Sequence, residues 1–183
     1  MTPRSLAKTL LLGFVLCSAA PASAHVTLLS REAAPGAPYK AVFVVPHGCG
    51  GSATVRLAVT IPPGVLLVKP MAKPGWQIDV TRKPYAKPWA SSHGAKLTEG
   101  VSGVVWSGGR LPDSLYDEFV MMTFLSSELA PGATLAFPAI QTCETGEHRW
   151  VQAPAAAQSD HSDEPAPSVR LVPADAIKME HKP

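Results

Sequence analysis

Charge is scarce in this chain. Only 16% of its 183 residues are charged, 16 basic against 14 acidic, and the formal net charge is +2. A nucleic-acid or anionic membrane partner would select a basic face, and the sequence offers none. Long apolar runs are also lacking. The longest, Leu10–Cys17, falls well short of the ~18 residues that span a bilayer, and nothing later approaches that length. No stretch carries a strong helical period with caps. There is no Gly-x-Ser-x-Gly elbow, no phosphate loop and no His-Glu-x-x-His zinc pattern, so the commoner hydrolase, nucleotide and metalloprotease chemistries have no foothold.

What is present begins at the N-terminus. Residues 1–24 have a basic start (Arg4, Lys8), an apolar middle and the small-residue ending Ala22-Ser23-Ala24. This is the pattern of a secretory signal peptide cut after Ala24. Cleavage removes two positive charges, leaves a near-neutral chain of ~159 residues suited to one domain, and makes His25 the first residue. An α-amine and an imidazole on one residue can chelate a single metal. Imidazole favours copper, zinc or nickel, and copper(II) is held most strongly of the common divalent ions. The plainer reading is that some residue must follow the cut.

Cysteine is equally sparse, with three in all. Cys17 lies in the signal. Cys49 and Cys143 remain, and an even pair in an oxidising compartment is expected to form one disulfide. The competing reading is a pair of thiolate copper ligands.

Glycine (14) and proline (19) are plentiful and interrupt the chain every ten or so residues. Between them lie short runs rich in Val, Ile, Thr and aromatics. The expected strands are 25–29, 39–45, 54–61, 66–69, 76–81, 96–98, 103–107, 117–124, 134–137, 139–143 and 148–152, with a last one at 168–172. Such spacing argues an all-β sandwich or barrel. In Thr54–Ile61 the odd positions are apolar and should face the core. Trp76 and Trp106 are expected inside it, and Asp113–Glu118 is expected as a turn leading into a strand. Asp117 and Glu118 should point to opposite faces, which is poor geometry for a joint acid–base pair. Ala153–Pro167 should be mobile and Ala174–Pro183 disordered. Met179 and His181 in this tail, with His161 upstream, could scavenge metal weakly, although a solvated polar tail is the simpler expectation.

The segments His25-Val-Thr, Val45-Pro-His-Gly-Cys49, Lys73-Pro-Gly-Trp76, Val105-Trp-Ser-Gly-Gly109, Leu111-Pro, Asp117-Glu-Phe119, Phe137-Pro and Gln141-Thr-Cys143 together resemble the YcnI-like copper-binding domain of exported bacterial proteins. The resemblance covers residues 25–173. It implies an immunoglobulin-like or cupredoxin-like β-sandwich followed by a flexible C-terminal tail. It also implies copper(II) held at a single-histidine brace, with a glutamate and a tryptophan nearby. His25 matches the brace histidine, and Trp150 is the position matched to the tryptophan. Trp150 is expected across from or near Cys143, in one neighbourhood with Pro46–Gly51. The family glutamate would follow Cys49, where this chain has Gly50. His47 is the first substitute ligand to consider, followed by Glu32 and Glu144. For Glu32 the plainer expectation is a place in a turn over residues 31–36, and for His47 a hydrogen bond within its loop.

The resemblance therefore implies a periplasmic or secreted copper chaperone or sequestration protein that is not an enzyme. Its partners would be copper ions and other copper-handling exported or membrane proteins. Two alternatives remain: a sandwich that has lost metal and binds a protein partner, or a copper-dependent oxidative enzyme. The enzyme would need a second coordinating histidine from His47, His93 or His148. Its carbohydrate platform is not evident, since Tyr85-Ala-Lys-Pro-Trp89 is the only exposed-looking aromatic cluster.

Overall fold

A computed structural model describes residues 25–153 and 164–179. The expected signal peptide, residues 154–163 of the expected mobile stretch with His161, and the tail residue His181 lie outside the described residues. Twelve strands run through the described chain: β1 (Thr27–Leu28), β2 (Glu32–Ala33), β3 (Pro38–Val45), β4 (Thr54–Thr60), β5 (Val65–Pro70), β6 (Gln77–Ala90), β7 (Lys96–Leu111), β8 (Asp117–Leu125), β9 (Thr134–Ala136), β10 (Ala139–Cys143), β11 (Glu147–Trp150) and β12 (Ser168–Leu171). They form a four-stranded sheet β1-β3-β8-β5, a five-stranded sheet β11-β10-β4-β7-β6 and a small sheet β2-β12-β9. All the pairings between these strands are antiparallel except β2 with β12.

The core lies between the two larger sheets. Phe43, Phe119 and Met121 from one meet Leu57, Val104 and Trp106 from the other, all fully buried. Burial of this much apolar surface is the main stabilising term, at about 25 cal/mol per Å². Along β4 and one residue beyond it the alternation holds from Leu57 through Val59 to Ile61, all buried. It fails at the N-terminal end. Against β10 the pairing steps from Thr142–Arg56 to Cys143–Thr54, so β4 carries one extra residue there, with Thr54 buried and Val55 half-exposed. One extra residue on a strand flips everything before it to the other face.

Trp106 is completely buried, as expected, but Trp76 is only half-buried. Trp76 caps the core from its rim, edge-on to Phe119 at 4.9 Å. Its ring covers Gly109, where a Cβ would come within 2.2 Å of the indole.

Two expected strands merge into one. Lys96–Leu111 is continuous, and β6 beside it runs through Pro84 and Pro88 to Ala90. Proline does not end this strand, because β6 is an edge strand whose outward amides need no partner. The expected turn over residues 31–36 contains Glu32–Ala33 as β2, parallel to β12. A strand of two residues leaves no periodicity in the sequence to detect.

A turn closed by the Leu115 amide on the Pro112 carbonyl at 3.0 Å leads into β8, as expected, although Asp117 and Glu118 already belong to the strand. The C-terminal stretch differs from expectation in two places. Within the stretch expected to be mobile, residues 164–167 are tied down: the Gln152 amide donates to the Glu164 carbonyl at 3.1 Å and the Ala166 amide to the Gln152 carbonyl at 2.9 Å. Ala174–Met179 forms α1, a short helix, in place of the expected disorder, and residues 180–183 lie outside the described residues. Pro173 supplies a first-turn carbonyl to the Ala176 amide at 3.0 Å, and Asp175 places an acid at the positive end of the helix. No helix among the described residues is long and apolar enough to cross a membrane.

Candidate functional site

The site is assembled from three strand ends. β1 lies against β3 with Thr27 opposite Val44 and Leu28 opposite Phe43. Two residues back along that register, His25 is carried towards the end of β3, where the chain continues as Pro46-His47-Gly48-Cys49. The ring of His25 meets Trp150 of β11 edge-on, with centroids 5.3 Å apart and planes at 69°. The two residues matched to the copper brace from sequence are therefore in contact.

Trp150 pairs with Ala139, at the far end of the ladder from Cys143, rather than across from or near Cys143 as expected. The difference arises because His148, not Trp150, faces the middle of β10, opposite Gln141. The indole nevertheless leans back along the strand, and Nε1 donates to Gln141 Oε1 at 3.1 Å. On its own strand Trp150 also meets His148, at 5.0 Å between ring centroids and 31° between planes. His148 Nδ1 lies 2.6 Å from Glu164 Oε1, and the other oxygen of that carboxylate accepts the Arg149 amide at 2.7 Å.

The loop after β3 is closely constrained. Gly48 has no room for a side chain, since a Cβ would lie 1.8 Å from the Ser52 carbonyl oxygen. Its amide donates to Asp113 Oδ1 at 3.0 Å. Gly50 and Gly51 follow with φ of 57° and 90° between the reciprocal Cys49 and Ser52 backbone bonds of 2.9 and 3.1 Å. Positive φ at both central residues is the signature of a tight two-residue hairpin turn, which explains glycine at both. The expected disulfide joins Cys49 to Cys143, with Cα atoms 6.0 Å apart. The Thr145 amide donates to Ser52 Oγ at 2.8 Å and the Glu144 amide to the Ala53 carbonyl at 2.9 Å. Two hairpin tips, remote in sequence, are thus stitched together.

The sequence candidates divide clearly. His47 lies in this loop with Nδ1 2.6 Å from the Gly48 carbonyl oxygen. A carbonyl can only accept, so Nδ1 carries the hydrogen, and in the neutral ring Nε2 is the acceptor nitrogen. That Nε2 is buried without a hydrogen-bond partner among the described residues. Glu144 is engaged elsewhere, with both oxygens on Arg110 at 2.7 and 3.2 Å. The hydrogen bonds from Arg110, and its charge, hold the Glu144 carboxyl below the usual range. Glu32 sits exposed on β2 in the small sheet. Lys73 pairs with Asp117 at 2.7 Å, and Asp117 and Glu118 are consecutive strand residues opposite Val45 and Val44. Trp89 is half-buried beneath Lys87, whose Nζ lies 4.0 Å above the ring.

Copper(II) is the ion the family resemblance implies. Once Ala24 is removed, the donor chemistry fits in part. His25 offers two nitrogens, Trp150 an apolar wall, and His47 an unpartnered imidazole nitrogen. No carboxylate stands at position 50. No group of three or more His, Cys, Asp and Glu arranged to hold a metal occurs among the described residues.

Sequence reasoning missed Gln141, Thr54 and Glu164 as parts of this neighbourhood. Gln141 did leave a signal, as a polar residue at the inward position between Ala139 and Cys143, where only 1% of it is exposed. Glu164 left none, because its approach to β11 depends on how the distant chain returns.

Among curated proteins none matches this chain. A solved structure does, described as "Crystal structure of an uncharacterized protein from Nocardia farcinica reveals an immunoglobulin-like fold". It is 28% identical, has a TM-score of 0.59, and covers 81% of this chain and 98% of its own. The likeness agrees with the sandwich described above. The family model called "Domain of unknown function (DUF1775)", the designation of the YcnI-like family, matches residues 25–171, and the chain belongs to that family.

Proposed function

We propose that this protein is exported, loses residues 1–24, and binds one copper(II) ion through the α-amine and imidazole of His25, acting as a copper chaperone or sequestration protein of the periplasm or extracellular space. The observation that carries this reading is the contact between His25 and Trp150. His47 Nε2 is the best-placed third donor by chemistry, since it is buried, has no hydrogen-bond partner among the described residues and lies on the adjoining loop. Bound copper would supply a positive centre for these nitrogens. The chain supplies a chelating residue, an indole that excludes water from one side, and a loop fixed by a disulfide. The disulfide supports the export component, because such bonds persist in oxidising compartments. Partners would be other copper-handling exported or membrane proteins. The proposed role is binding, with no reaction assigned to the site.

Gly50 favours a second reading, a sandwich that has dispensed with metal and binds a protein partner. One experiment separates the two. Intact-mass analysis of exported protein should give His25 as the first residue. Copper(II) titration of that material should show one tight site, absent in His25→Ala and in a chain with one extra residue before His25. A different N-terminus, or binding indifferent to His25, defeats the copper reading and leaves the interaction module.

A further inference from the structure

Gln141 is an anomaly in this core. A primary amide with 1% of its surface exposed is costly to bury unless its hydrogen-bonding groups are satisfied. Here both ends are engaged, and the partners dictate which end is which. Trp150 Nε1 can only donate, so the atom facing it at 3.1 Å is the oxygen. The His47 carbonyl can only accept, so the atom facing it at 2.8 Å is the nitrogen. The second amide hydrogen goes to Thr54 Oγ1, also at 2.8 Å. Thr54 Oγ1 accepts that bond, which leaves its own hydrogen to point at Cys143 Sγ, 3.8 Å away. One side chain on β10 thereby fixes the indole on β11, the backbone of the loop after β3 and the buried start of β4.

Two of these elements, the indole and the loop, bear on the candidate metal site. The indole is the wall that His25 meets. The loop carries His47 Nε2, buried without a hydrogen-bond partner among the described residues. A hydrophobic residue of similar volume would fill the same space in the sandwich without orienting either group. Stability alone does not explain the choice, since burying a polar group gains little over burying an apolar one of the same shape.

We propose that Gln141 is the positioning residue of the metal site, holding the Trp150 wall and the His47 loop in mutual register so that donors from His25 and from that loop meet one ion. The inference rests on the copper reading above. It assigns Gln141 no contact with the metal.

The test compares correctly processed parent with three variants. Gln141→Met keeps the volume and removes every bond. Gln141→Glu keeps an acceptor for Trp150 but sets a carboxylate oxygen against the His47 carbonyl. Thr54→Val removes one partner and leaves the bonds to Trp150 and His47. Copper(II) affinity is measured by competition with a chelator, and the copper electron paramagnetic resonance spectrum reports ligand geometry, which a purely structural residue would not alter. Gln141→Met and Gln141→Glu are each expected to weaken copper at least tenfold and change the hyperfine pattern, while Thr54→Val stays within about threefold of the parent with the parent's spectrum. Gln141→Asn, whose shorter arm cannot reach both partners, replaces any Gln141 variant that fails to fold, with the same tenfold expectation. If the parent binds copper through His25 and the folded Gln141 variants match it in affinity and spectrum, the positioning role is overturned and the copper reading stands. If the parent shows no His25-dependent copper, both are overturned.

Discussion

Two tryptophans of this sandwich are almost equally buried, Trp106 at 0% and Trp150 at 3% exposure, yet their surroundings differ in kind. Trp106 packs edge-on against Phe119 at 5.6 Å, in the midst of aliphatic side chains. Its Nε1 is buried with no hydrogen-bond partner among the described residues. Trp150 meets two imidazoles, at 5.3 and 5.0 Å, and its Nε1 is bound by a glutamine committed to two further groups. The first environment tolerates an unsatisfied polar atom for the sake of packing. The second satisfies both polar ends of its central glutamine. Leaving a buried donor unpaired costs about 1–3 kcal/mol, so the core at Trp106 is governed by volume. The cluster at Trp150 is governed by direction.

That contrast can be broken most severely at Trp106. Trp106→Ala should lose about 3–5 kcal/mol of stability, the usual cost of deleting a large buried aromatic, measurable as a lowered denaturant midpoint. A loss under ~1 kcal/mol would mean that the packing centre lies elsewhere.

The next effect belongs to the other region. Replacing Cys49 and Cys143 together by serine opens a loop of sequence separation 94 and should cost about 2–4 kcal/mol, again read from the denaturant midpoint. Copper affinity should fall with it, because the His47 loop loses its tether to β10. Intact affinity in the serine pair would show that the loop does not contribute to the site.

Trp150→Phe sharpens the comparison directly. It leaves Gln141 Oε1 without its donor at a buried position, so about 1–3 kcal/mol is expected, with the fold retained by circular dichroism. The copper spectrum should change, whereas Trp106→Phe should leave it alone. Matching copper spectra for the two variants would erase the distinction between the regions.

Gly50→Glu is a smaller perturbation of opposite sign for the metal. Open space surrounds the point where a Cβ would stand at position 50, but φ there is 57°, a conformation that costs a non-glycine residue about 1 kcal/mol. Stability should fall by about that amount while copper binding strengthens, as the missing carboxylate is restored. Unchanged copper affinity would favour the metal-free interaction module.

The smallest effect on stability comes from His25→Ala at the chain's edge, within about 0.5 kcal/mol, together with loss of tight copper binding. In the parent, protons compete with the metal for the amine and imidazole nitrogens. On the copper reading, affinity should therefore fall as pH is lowered. A pH-independent affinity would point to donors other than His25.

Much of this architecture is legible locally. Gly/Pro turns and short β-branched runs place nearly every strand, because turn chemistry and period-two alternation are properties of adjacent residues. The disulfide follows from an even pair of cysteines after a signal-like segment. Glycine at position 50 is visible as a departure from the family pattern, but its reason is not. Positive φ at 50 and 51 belongs to a hairpin turn closed by Cys49 and Ser52, and only the folded backbone reveals it. The bulge that turns Thr54 inward, the passage of β6 through two prolines and the helix at Ala174–Met179 likewise escape local reading, since each depends on which neighbour or free edge the strand finds.

Residue order alone specifies an all-β chain with one cysteine pair, and it singles out His25, His47 and Trp150 by residue type and motif. Which of them meet is a tertiary matter. β1 had to pair with β3 to carry His25 to Trp150. Gln141 had to face inward between β4 and β11 to bind an indole and a loop carbonyl, 9 and 94 residues away. Long-range register is set by the burial of whole faces, and no local pattern of residues encodes it.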